Sequence, residues 1–523
     1  DLRAQPSLVE RGKERHGRTL VIMGNGPSLS EIMNNPELLQ LLRGYDTFGL
    51  NAAYRAYDRY DFYPTYFGSF DFRVCDSQAE AFSLLVRGNN PIRKFFFAKQ
   101  SVFDEDTKAQ PRFQSIHFKA APQGVSRQSS LSPSFDEFDD CGSSGTNAVQ
   151  AGYIMGYRHF ILLGVDCNYV EILDGVKDID GIRYEVVEDI KSNPNYWFEG
   201  YQVKGDKFHK PNEKDIQLVS WAKLDTLLNN ADGHISNCSL VSKLPMFDIL
   251  PFRARSASVQ NVFIVISCAA YRERIAALRP RYAAKLRPGD QVIFVIGGGE
   301  RTCLGEDSLL QVTAGDLYED LPQKVQAAIE FCVKNIGFER LIKVDDDIHV
   351  NFDNLYAVLP DLADYPYVGR RTPTRPGITP SSNWHFGKVA PGSLHEGLPH
   401  KVEGPPEFWA GGGMYVVRRD AAAHLATTLA HQVAHYHLYE DFMVGDLLAR
   451  HGVQAQPWDE LPVANGQDWC ITNLRDIMSE DLSSLRDEAR MKRAISVHCG
   501  PYPPYYRIDD GQMRELFRSF DAR

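Results

Sequence analysis

Three consecutive carboxylates, Asp345–Asp347, are the residues whose types and spacing most directly indicate chemistry. They follow the apolar run Leu341–Val344 and precede the apolar Ile348. Because adjacent anions repel one another and are costly to bury, such a strand end requires a counter-charge. A divalent cation supplies one and keeps coordination positions for a ligand's phosphates. The alternative is a solvated acidic loop, the usual state of charge runs.

Two further acids and a histidine could complete such a site. Glu440 and Asp441 open an apolar helix. One of them could be a catalytic base, although acids in a first helical turn are usually partners of the helix dipole. His498 is a candidate metal ligand. The glycines Gly411–Gly413 precede a strand and permit close backbone approach to a ligand, or they form a bulge.

In the first half of the chain, the glycine turn Gly24–Ser28 follows the apolar strand predicted at Thr19–Met23. Ser28 and Glu31 have the spacing of a capping box that opens a helix. A strand, a glycine turn and a helix N-terminus together direct N–H groups and the helix dipole at an anion. The pattern predicts a phosphate-binding loop, but glycine turns without a ligand are common.

A second polar cluster begins at Gly142–Asn147, which opens a helix, and the following run His159–Asp166 predicts a buried strand. Ligands of open α/β sheets collect at the carboxyl ends of strands, so we expect Ser144 and Asp166 near one crevice. The alternatives are a simple N-cap for Ser144 and a turn residue for Asp166.

The stretch Asn193–Asn212 has neither helical nor strand periodicity, which predicts an ordered lid loop. His209 is the only histidine in it. Its ordinary pKa suits a general base near neutral pH. A loop histidine without a catalytic role is the alternative.

Composition limits the classes of partner. The chain has 523 residues, enough for two or three domains, and a net charge of −11 that argues against a nucleic acid bound through a basic face. Its nine cysteines are scattered without a C-x-x-C pair, which favours a reducing cytoplasm. No apolar stretch reaches the roughly 18–20 residues of a membrane span, and we find no signal-peptide pattern. The first residue, Asp1, leaves a preceding anchor open.

The elements that position these residues alternate between strand and helix. The stretch Leu244–Ser258 carries two prolines and no periodicity, so we place a boundary there, between domains at 15–250 and 259–523. The second domain opens with strands predicted at Val262–Ser267 and Gln291–Ile296 and helices at Arg272–Leu286 and Gln323–Asn335. The predicted fold class is α/β with two Rossmann-like domains.

The motifs of the first half resemble those of bacterial sialyltransferases of glycosyltransferase family 42. The resemblance rests on Gly24–Leu29, Asn51, Ser143–Gly145, Gly156–Asp166 and His209. It implies a GT-A variant domain that uses a CMP-activated sugar without a metal, with His209 as the base. The implied nucleotide-binding residues are Gly24, Asn25, Gly26, Ser28, Asn51, Ser144 and Gly145. Asp206 stands where the family has a tyrosine, so Tyr196 and Tyr201 are alternative donors to the leaving phosphate.

The motifs of the second half are similar to those of the β-1,3-glycosyltransferases of family 31. They are Asp316–Tyr318 with Lys324, Val344–Asn351, Tyr367–Arg370, Trp409–Gly413 and Glu440–Gly445. The resemblance implies a GT-A fold, a UDP-sugar donor, inversion, and Mn²⁺ or Mg²⁺ held by Asp347, Asp345 and His498. It further implies nucleotide contacts from Asp345, Asp346 and Lys324, and Asp441 as base with Glu440 as fallback. The implied substrate contacts are Trp409, Gly411 and Gly412.

Together the two resemblances predict a bifunctional glycosyltransferase that builds a bacterial capsule or lipopolysaccharide. The expected ligands are a UDP-sugar, a CMP-sugar of the sialic acid or Kdo type, and a glycan or lipid-linked glycan acceptor. We expect a cytoplasmic location and leave peripheral association with the inner membrane open. One alternative is a single UDP-sugar β-1,3-glycosyltransferase with an acceptor-binding N-terminal domain. The other is a metal-dependent nucleotidyltransferase or phosphohydrolase.

Overall fold

A computed structural model describes residues 18–119, 130–171, 174–190, 193–210, 214–373, 385–400, 408–461, 469–479, 482–500 and 508–522. The chain divides into two compact units, Asp1–Ser256 and Ala257–Arg523. This division falls inside the stretch predicted as a boundary. Most of that stretch is not a free linker, however, because Leu244 and Ile249 are fully buried. In the described part of the chain, every helix is too short or too polar to cross a lipid bilayer.

The described strands of the first unit form two sheets. The larger contains β1 (Thr19–Met23), β2 (Asp46–Leu50), β3 (Tyr66–Ser69), β4 (Lys94–Phe97), β5 (Phe113–Ser115), β6 (His159–Leu163) and β10 (His234–Asn237). All of its pairs are parallel, in the order β10-β6-β1-β2-β3-β4-β5. The smaller is antiparallel and contains β7 (Val176–Asp178), β8 (Arg183–Val186) and β9 (Lys207–His209).

Helices cover both faces of the larger sheet. They are α1 (Leu29–Asn34), α2 (Pro36–Leu42), α3 (Phe72–Arg87), α4 (Glu105–Lys108), α5 (Ser144–Ile154), α6 (Lys214–Asn229) and α7 (Phe252–Ser256). Successive side chains of a strand point to opposite faces, so Phe96 packs into one buried cluster while Phe95 and Phe97 pack into another. The chain leaves β1 towards β5 on one side and returns to β6 on the other. The strand order therefore reverses beside β1, where open α/β sheets form a ligand crevice.

The strands of the second unit, within the described residues, also form two sheets. They are β11 (Ser258–Ile266), β12 (Gln291–Ile296), β13 (Cys303–Leu304), β14 (Leu309–Gln311), β15 (Gly337–Asp345), β16 (Ile348–Val350), β17 (Tyr367–Pro373), β18 (Phe408–Arg418), β19 (Gln456–Pro457), β20 (Cys470–Asn473) and β21 (Ala494–His498). The larger sheet has the order β13-β14-β12-β11-β15-β18-β17-β19, and the smaller has β16-β21-β20. Strands β14, β12, β11 and β15 are parallel, and their order reverses between β11 and β15.

The helices of this unit include α8 (Arg272–Lys285), α9 (Leu321–Asn335), α10 (Phe352–Val358), α11 (Arg419–His424), α12 (Thr428–Ala434), α13 (Glu440–Arg450), α14 (Leu474–Ile477), α15 (Glu488–Arg493) and α16 (Asp510–Asp521). The prediction of an α/β fold is confirmed. The larger sheet of the first unit is parallel, whereas that of the second unit is mixed, with antiparallel pairs at β13–β14, β15–β18 and β17–β18.

One local prediction was wrong, and one that was left open between a turn and a bulge was decided. The predicted lid loop contains strand β9, whose Phe208 and His209 pair with Tyr184 and Arg183 of β8. The glycines Gly411–Gly413 lie inside β18, where its register with β17 shifts between Gly369 and Arg371, so they belong to a bulge and not to a turn. Strand β9 depends on its pairing with β8, and so short a strand leaves little periodicity in the sequence.

Candidate active sites

The glycine loop after β1 is held by its own neighbours. The N–H groups of Gly24 and Gly26 donate to carbonyl groups of the residues that end and follow β6, at 2.7 and 2.8 Å. Ser28 donates its N–H to the buried Asp166 carboxylate at 2.9 Å, and its hydroxyl bonds the same carboxylate. Because Ser28 is engaged in this way, it makes no capping box with Glu31. The predicted use of these N–H groups for a phosphate is therefore wrong, and Asp166 instead fixes the loop.

Polar side chains meet at the carboxyl ends of β1, β2 and β3. Asn25 donates to the Leu50 carbonyl at 3.1 Å, and Asn51 donates to the Ser144 hydroxyl at 3.3 Å. The Ser69 hydroxyl in turn donates to Asn51 at 3.2 Å. The buried Oδ1 of Asn25 accepts no hydrogen bond from the described residues, so it remains available to a ligand's donor. The structure thus brings three of the predicted nucleotide-binding residues to the predicted crevice.

Helix α5 contributes its first turn to this crevice. Ser143, not Ser144, is the N-cap, because the Ser143 hydroxyl accepts from the Thr146 N–H at 3.2 Å. The Ser144 side chain is therefore directed at Asn51 and has no capping role. Gly145 lies in the same turn, where a Cβ would come within 3.0 Å of Trp221. The absence of a side chain at Gly145 lets the first turn of α5 pack closely against Trp221 of α6.

His209 lies at the end of β9 and pairs with an acid that the sequence did not reveal. Its Nδ1 is 2.7 Å from Asp71 Oδ1, and its backbone N–H donates to Asp71 Oδ2 at 3.3 Å. Asp71 is also the N-cap of α3. The hydrogen bond that His209 donates to Asp71 raises the pKa of His209, while burial and the cations Arg73 and Arg183 lower it. A carboxylate on Nδ1 leaves Nε2 to take a proton, as in a general base.

Tyr196 and Tyr201, the predicted phosphate donors, stack with ring centroids 3.8 Å apart. Burial raises the pKa of both phenols, so they are neutral donors at physiological pH. Arg55 bonds the Tyr201 carbonyl at 2.6 Å and both Asp206 oxygens at 2.6 and 2.8 Å. Asp206, which stands where the resembled family has a tyrosine, therefore serves as the counter-charge that fixes this loop.

In the second unit, the three adjacent aspartates have different surroundings. The Asp345 carboxylate lies 2.7 Å from Lys343 Nζ. Asp346 is buried, bonded to the Ser267 hydroxyl at 2.5 Å and to Arg274 at 2.6 Å. Burial raises the pKa of both carboxyls. One carboxylate oxygen of Asp346 bonds the residue that follows β11 and the other bonds helix α8, so both are engaged by the fold and the predicted nucleotide contact of Asp346 is replaced by a structural one.

Asp347 is paired with His498, because β16 and β21 place Ile348 opposite His498. The Asp347 Oδ2 and His498 Nε2 atoms are 3.4 Å apart. Burial opposes both charges, but each group favours the other's charged form, so the pKa of Asp347 is lowered and that of His498 is raised. A Cβ on Gly500 would collide with the Asp347 carboxylate, so only glycine allows this close approach.

These residues fit a divalent cation in part. Asp347 Oδ1 is buried and accepts no hydrogen bond from the described residues. A carboxylate and an imidazole are both ligands that Mn²⁺ takes. Among the described residues, no three His, Cys, Asp or Glu side chains group as a metal site. The predicted third ligand, Asp345, contacts Lys343. Asp347 and His498 therefore suit a cation that takes further ligands from a diphosphate or water.

Glu440 and Asp441 open α13 as predicted, and the structure separates their roles. Glu440 is 7% exposed, lies 2.5 Å from Lys343 Nζ and accepts from the Tyr415 hydroxyl at 3.1 Å. Its place as fallback base is therefore wrong, because it is the counter-charge of a buried lysine. Asp441 is partly exposed. The Lys343 ammonium group contacts both Asp345, at the end of β15, and Glu440, in the first turn of α13. Asp441, in the same turn, therefore lies near the end of β15.

Lys324 is fully buried and does not face an open site. Its Nζ lies 2.6 Å from Asp316 and donates to the Ser267 carbonyl at 3.0 Å. Asp316 also accepts from the N–H groups of Ala269 and Gly297, at 2.6 and 2.7 Å. The predicted nucleotide contact of Lys324 is therefore replaced by a structural one. The pair fastens the loops that follow β11 and β12.

Trp409 was predicted to contact substrate, but its side chain is 4% exposed. It packs edge-on against Phe442 of α13, with ring centroids 5.3 Å apart. Gly411 and Gly412 continue β18 beyond it, and Gly411 is partly exposed. The structure thus assigns Trp409 to packing beneath the first turn of α13.

Lys388 is a residue near this site that the sequence did not single out. Its Nζ lies 5.5 Å from the Tyr318 ring centroid. Burial lowers the pKa of its ammonium group to about 8, against the opposing effect of Asp347, Asp345 and Asp441. A lone lysine in a run without periodicity gives no sequence signal.

Comparison with known proteins finds a family match within the second unit. Residues 304–459 match the family model described as galactosyltransferase. The matched segment contains Asp345–Asp347 and Asp441. The second unit therefore contains a galactosyltransferase-type domain, and the chain is a glycosyltransferase. No curated protein matches the sequence of this chain.

Several solved structures are similar to the chain at low identity. The sialyltransferase CstII from Campylobacter jejuni, in complex with cytidine-5'-monophosphate, is 14% identical over 45% of this chain and 86% of that chain, with a TM-score of 0.26. The MAf glycosyltransferase from Magnetospirillum magneticum AMB-1 is 16% identical over 47% and 38%, with a TM-score of 0.27. A glycosyltransferase involved in glycosylation of the major capsid of PBCV-1 is 12% identical over 49% and 98%, with a TM-score of 0.28.

Proposed function

We propose that the second unit transfers a sugar from a UDP-sugar to a glycan hydroxyl with inversion at the anomeric carbon. The observation that carries the proposal is the Asp347–His498 pair, with its unengaged carboxylate oxygen, in a unit that matches the galactosyltransferase model. Asp347 and His498 would hold Mn²⁺ or Mg²⁺, which when bound neutralises the charge of the leaving diphosphate. Binding a cation there requires His498 to give up its proton.

Asp441 is the base in this proposal. It takes the proton of the acceptor hydroxyl as the oxygen attacks the anomeric carbon, which yields a β-linkage from an α-linked donor. Lys343, Glu440 and Tyr415 hold the turn that carries Asp441, and their buried contacts keep it in place. The Asp345 carboxylate contacts the ammonium group of Lys343 as well. Asp345 is the remaining candidate for a nucleotide contact.

For the first unit we propose transfer from a CMP-sugar without a metal. His209, oriented by Asp71, takes the acceptor proton through Nε2. Asn25, Asn51, Ser144 and Gly145 line the crevice proposed for the nucleotide. Tyr196 and Tyr201 remain candidate donors to the leaving phosphate. The whole chain would then add two sugars in turn to a glycan or lipid-linked glycan of a bacterial capsule or lipopolysaccharide, in the cytoplasm or at the inner membrane surface.

Assays with UDP- and CMP-linked sugars, including UDP-galactose, test both proposals on wild type, Asp441→Asn and His209→Ala. We expect Asp441→Asn to abolish only UDP-sugar transfer and His209→Ala to abolish only CMP-sugar transfer. Asp353→Asn and His117→Ala, exposed residues away from the two sites, are the matched controls and should leave both activities unchanged. If His209→Ala leaves every activity intact, the first unit acts as an acceptor-binding domain. UDP or pyrophosphate release without a glycan product would indicate a phosphohydrolase or nucleotidyltransferase.

A further inference from the structure

Arg274 of α8 joins the acidic run at the end of β15 to helix α16. Its side chain is buried. One terminal nitrogen donates to Asp346 Oδ1 and the other donates to Asp510 Oδ1, both at 2.6 Å. Asp510 is the first residue of α16. Because a guanidinium group is planar and carries several donors in a fixed geometry, it can hold two carboxylates in a constant relation to each other.

Asp346 is held from three directions. Its backbone N–H donates to the Ile266 carbonyl at 3.1 Å. Its Oδ2 accepts from the Ser267 hydroxyl at 2.5 Å, and its Oδ1 accepts from Arg274. The main chain of Asp346 is therefore fixed to the end of β11, and its side chain is fixed to α8.

Asp347, the next residue, has fixed backbone contacts but one unengaged carboxylate oxygen. Its carbonyl accepts from the Cys499 N–H at 2.9 Å, and its Oδ2 lies 3.4 Å from His498 Nε2. The buried Oδ1 accepts no hydrogen bond from the described residues. Since Asp346 and Asp347 share a peptide bond, the direction of this oxygen depends on how Asp346 is held.

Helix α16 supports the acidic run at both of its own ends. Arg281, about two turns after Arg274 along α8, bonds Asp521 at 2.8 and 3.0 Å and donates to the Val350 carbonyl at 2.5 Å. Arg274 thus connects the start of α16 to the acidic run, and Arg281 connects its end to β16. Three apolar side chains of α16 are buried in the hydrophobic core of the unit, so the helix is a fixed support: Met513, Phe517 and Phe520.

We propose that Arg274 is a positioning residue for the cation site, a role that rests on the proposed function of the second unit. With Asp510 as its second anchor, Arg274 holds Asp346 and thereby directs the Asp347 carboxylate towards the place where Mn²⁺ or Mg²⁺ would bind. Replacing a residue that orients metal ligands typically lowers metal affinity by about 10- to 100-fold.

Binding of Mn²⁺ to the full chain, measured by electron paramagnetic resonance of the free ion, tests this role without a sugar donor. Arg274→Lys keeps the positive charge, but a compact ammonium group cannot hold both carboxylates in the same geometry. We expect this variant to bind Mn²⁺ about 10-fold more weakly. If Arg274 were only a counter-charge for Asp346, the affinity would not change. Arg279→Lys makes the same substitution in an arginine of α8 that pairs with Asp307, and it is the control.

Asp510→Asn tests whether α16 acts through Arg274. It leaves the bond between Arg274 and Asp346 in place and removes only the second anchor, so we expect a smaller fall in Mn²⁺ affinity. Combined with Arg274→Lys, it should cause no loss beyond that of Arg274→Lys alone, because both changes break one chain of contacts. Additive losses would refute this connection. Glu515→Gln, an exposed acid of the same helix, is the control.

Unchanged Mn²⁺ affinity in Arg274→Lys would overturn the positioning role. Thermal melts show whether each variant is folded, and Asp510→Asn, at a partly exposed position, provides the test if Arg274→Lys does not fold. Asp347→Asn should abolish binding and so locate the ion. A wild-type chain that binds no Mn²⁺, or that still binds it in Asp347→Asn, refutes the proposed cation site itself. Binding that requires Asp347 but is the same in Arg274→Lys refutes only the role of Arg274.

Discussion

At the scale of single residues, Asp71 sets the condition under which His209 can act. Its carboxylate bonds both Nδ1 and the backbone N–H of His209 and raises the pKa of the imidazole above 6.5. Burial and the cations Arg73 and Arg183 oppose this effect. A general base must be neutral to take a proton. His209 is therefore active above its raised pKa and becomes inactive as the pH falls through it.

Asp71→Asn should accordingly move the acidic limb of CMP-sugar transfer to lower pH, because only the pKa-lowering influences remain. It should also lower the maximal rate by about 10- to 100-fold, since an amide orients the imidazole less well and cannot stabilise its charged form. Initial rates between about pH 5 and 9 measure both effects. Asp106→Asn, an exposed acid of α4, is the control. A limb that stays in place in Asp71→Asn would rule out His209 as the titrating base.

The different roles of Glu440 and Asp441 predict different effects of their substitutions on the free energy of unfolding. Glu440→Gln removes one carboxylate from the fully buried Lys343, which keeps only Asp345. We expect it to lower the free energy of unfolding by about 3 kcal/mol, as for a broken buried ion pair. Asp441→Asn should leave the free energy of unfolding unchanged but lower UDP-sugar transfer by at least about 100-fold. Denaturant titrations and initial rates on both variants provide the test. Loss of stability in Asp441→Asn, with none in Glu440→Gln, would reverse the assignment.

The sequence predicted which residues gather at each site better than what each of them does. The run Asp345–Asp347 was expected to serve one ligand, yet Asp346 turns to Ser267 and Arg274, 79 and 72 residues earlier in the chain. Asp71 was missed because 138 residues separate it from His209. Charge and spacing identify a group of acids, but the partner of each acid depends on which strands lie next to one another.

At the scale of elements, helix α16 braces the strand that follows the acidic run. Asp521 bonds Arg281 of α8 at 2.8 and 3.0 Å and lies 3.2 Å from Nε2 of His349 in β16. The His349 ring packs edge-on against Phe517 and Phe520, at 5.5 and 5.2 Å. Because β16 pairs with β21, this brace also supports the strand that carries His498.

Asp521→Asn should weaken this brace. We expect a loss of about 1 kcal/mol in the free energy of unfolding at neutral pH, since a bidentate ion pair at a partly exposed position is replaced by a weaker bond. For a unit of this size that corresponds to a melting temperature lower by about 2–4 °C. Scanning calorimetry measures the shift. Glu515→Gln changes an exposed acid of the same helix and is the control. An equal shift in both variants would show that α16 responds to charge in general and not to this contact.

Periodicity predicted the long elements well and the short ones poorly. Strands at Thr19–Met23 and Gln291–Ile296 have the predicted bounds, and the helix predicted from Gln323 begins at Leu321. In these strands and this helix, the spacing of the apolar residues follows the face of the element that is buried. Strand β9 has three residues and is defined by its pairing with β8. Strand β18 pairs with β17 on both sides of its three glycines, where the register shifts. Such strands depend on neighbours whose positions no local pattern contains.

At the scale of the whole molecule, each buried hydrophobic cluster of the described residues lies within one unit. Each unit also has its own reversal of strand order, beside β1 in the first and between β11 and β15 in the second. Both candidate sites lie at these reversals. A separate core in each unit is what two independently folding domains require. The reversal of strand order in each unit gives each its own candidate ligand crevice.

A protease site inserted between Ser256 and Ala257 tests this independence, because α7 ends at Ser256 and β11 begins at Ser258. Since each unit is large enough to bury its own core, cleavage should leave the far-ultraviolet circular dichroism and the melting transitions unchanged. UDP-sugar transfer should stay with the second fragment and CMP-sugar transfer with the first. The uncleaved insertion variant is the control. Should cleavage abolish both activities while the fragments stay folded, the two sites would depend on the intact chain, and the assignment of one complete site to each unit would fail.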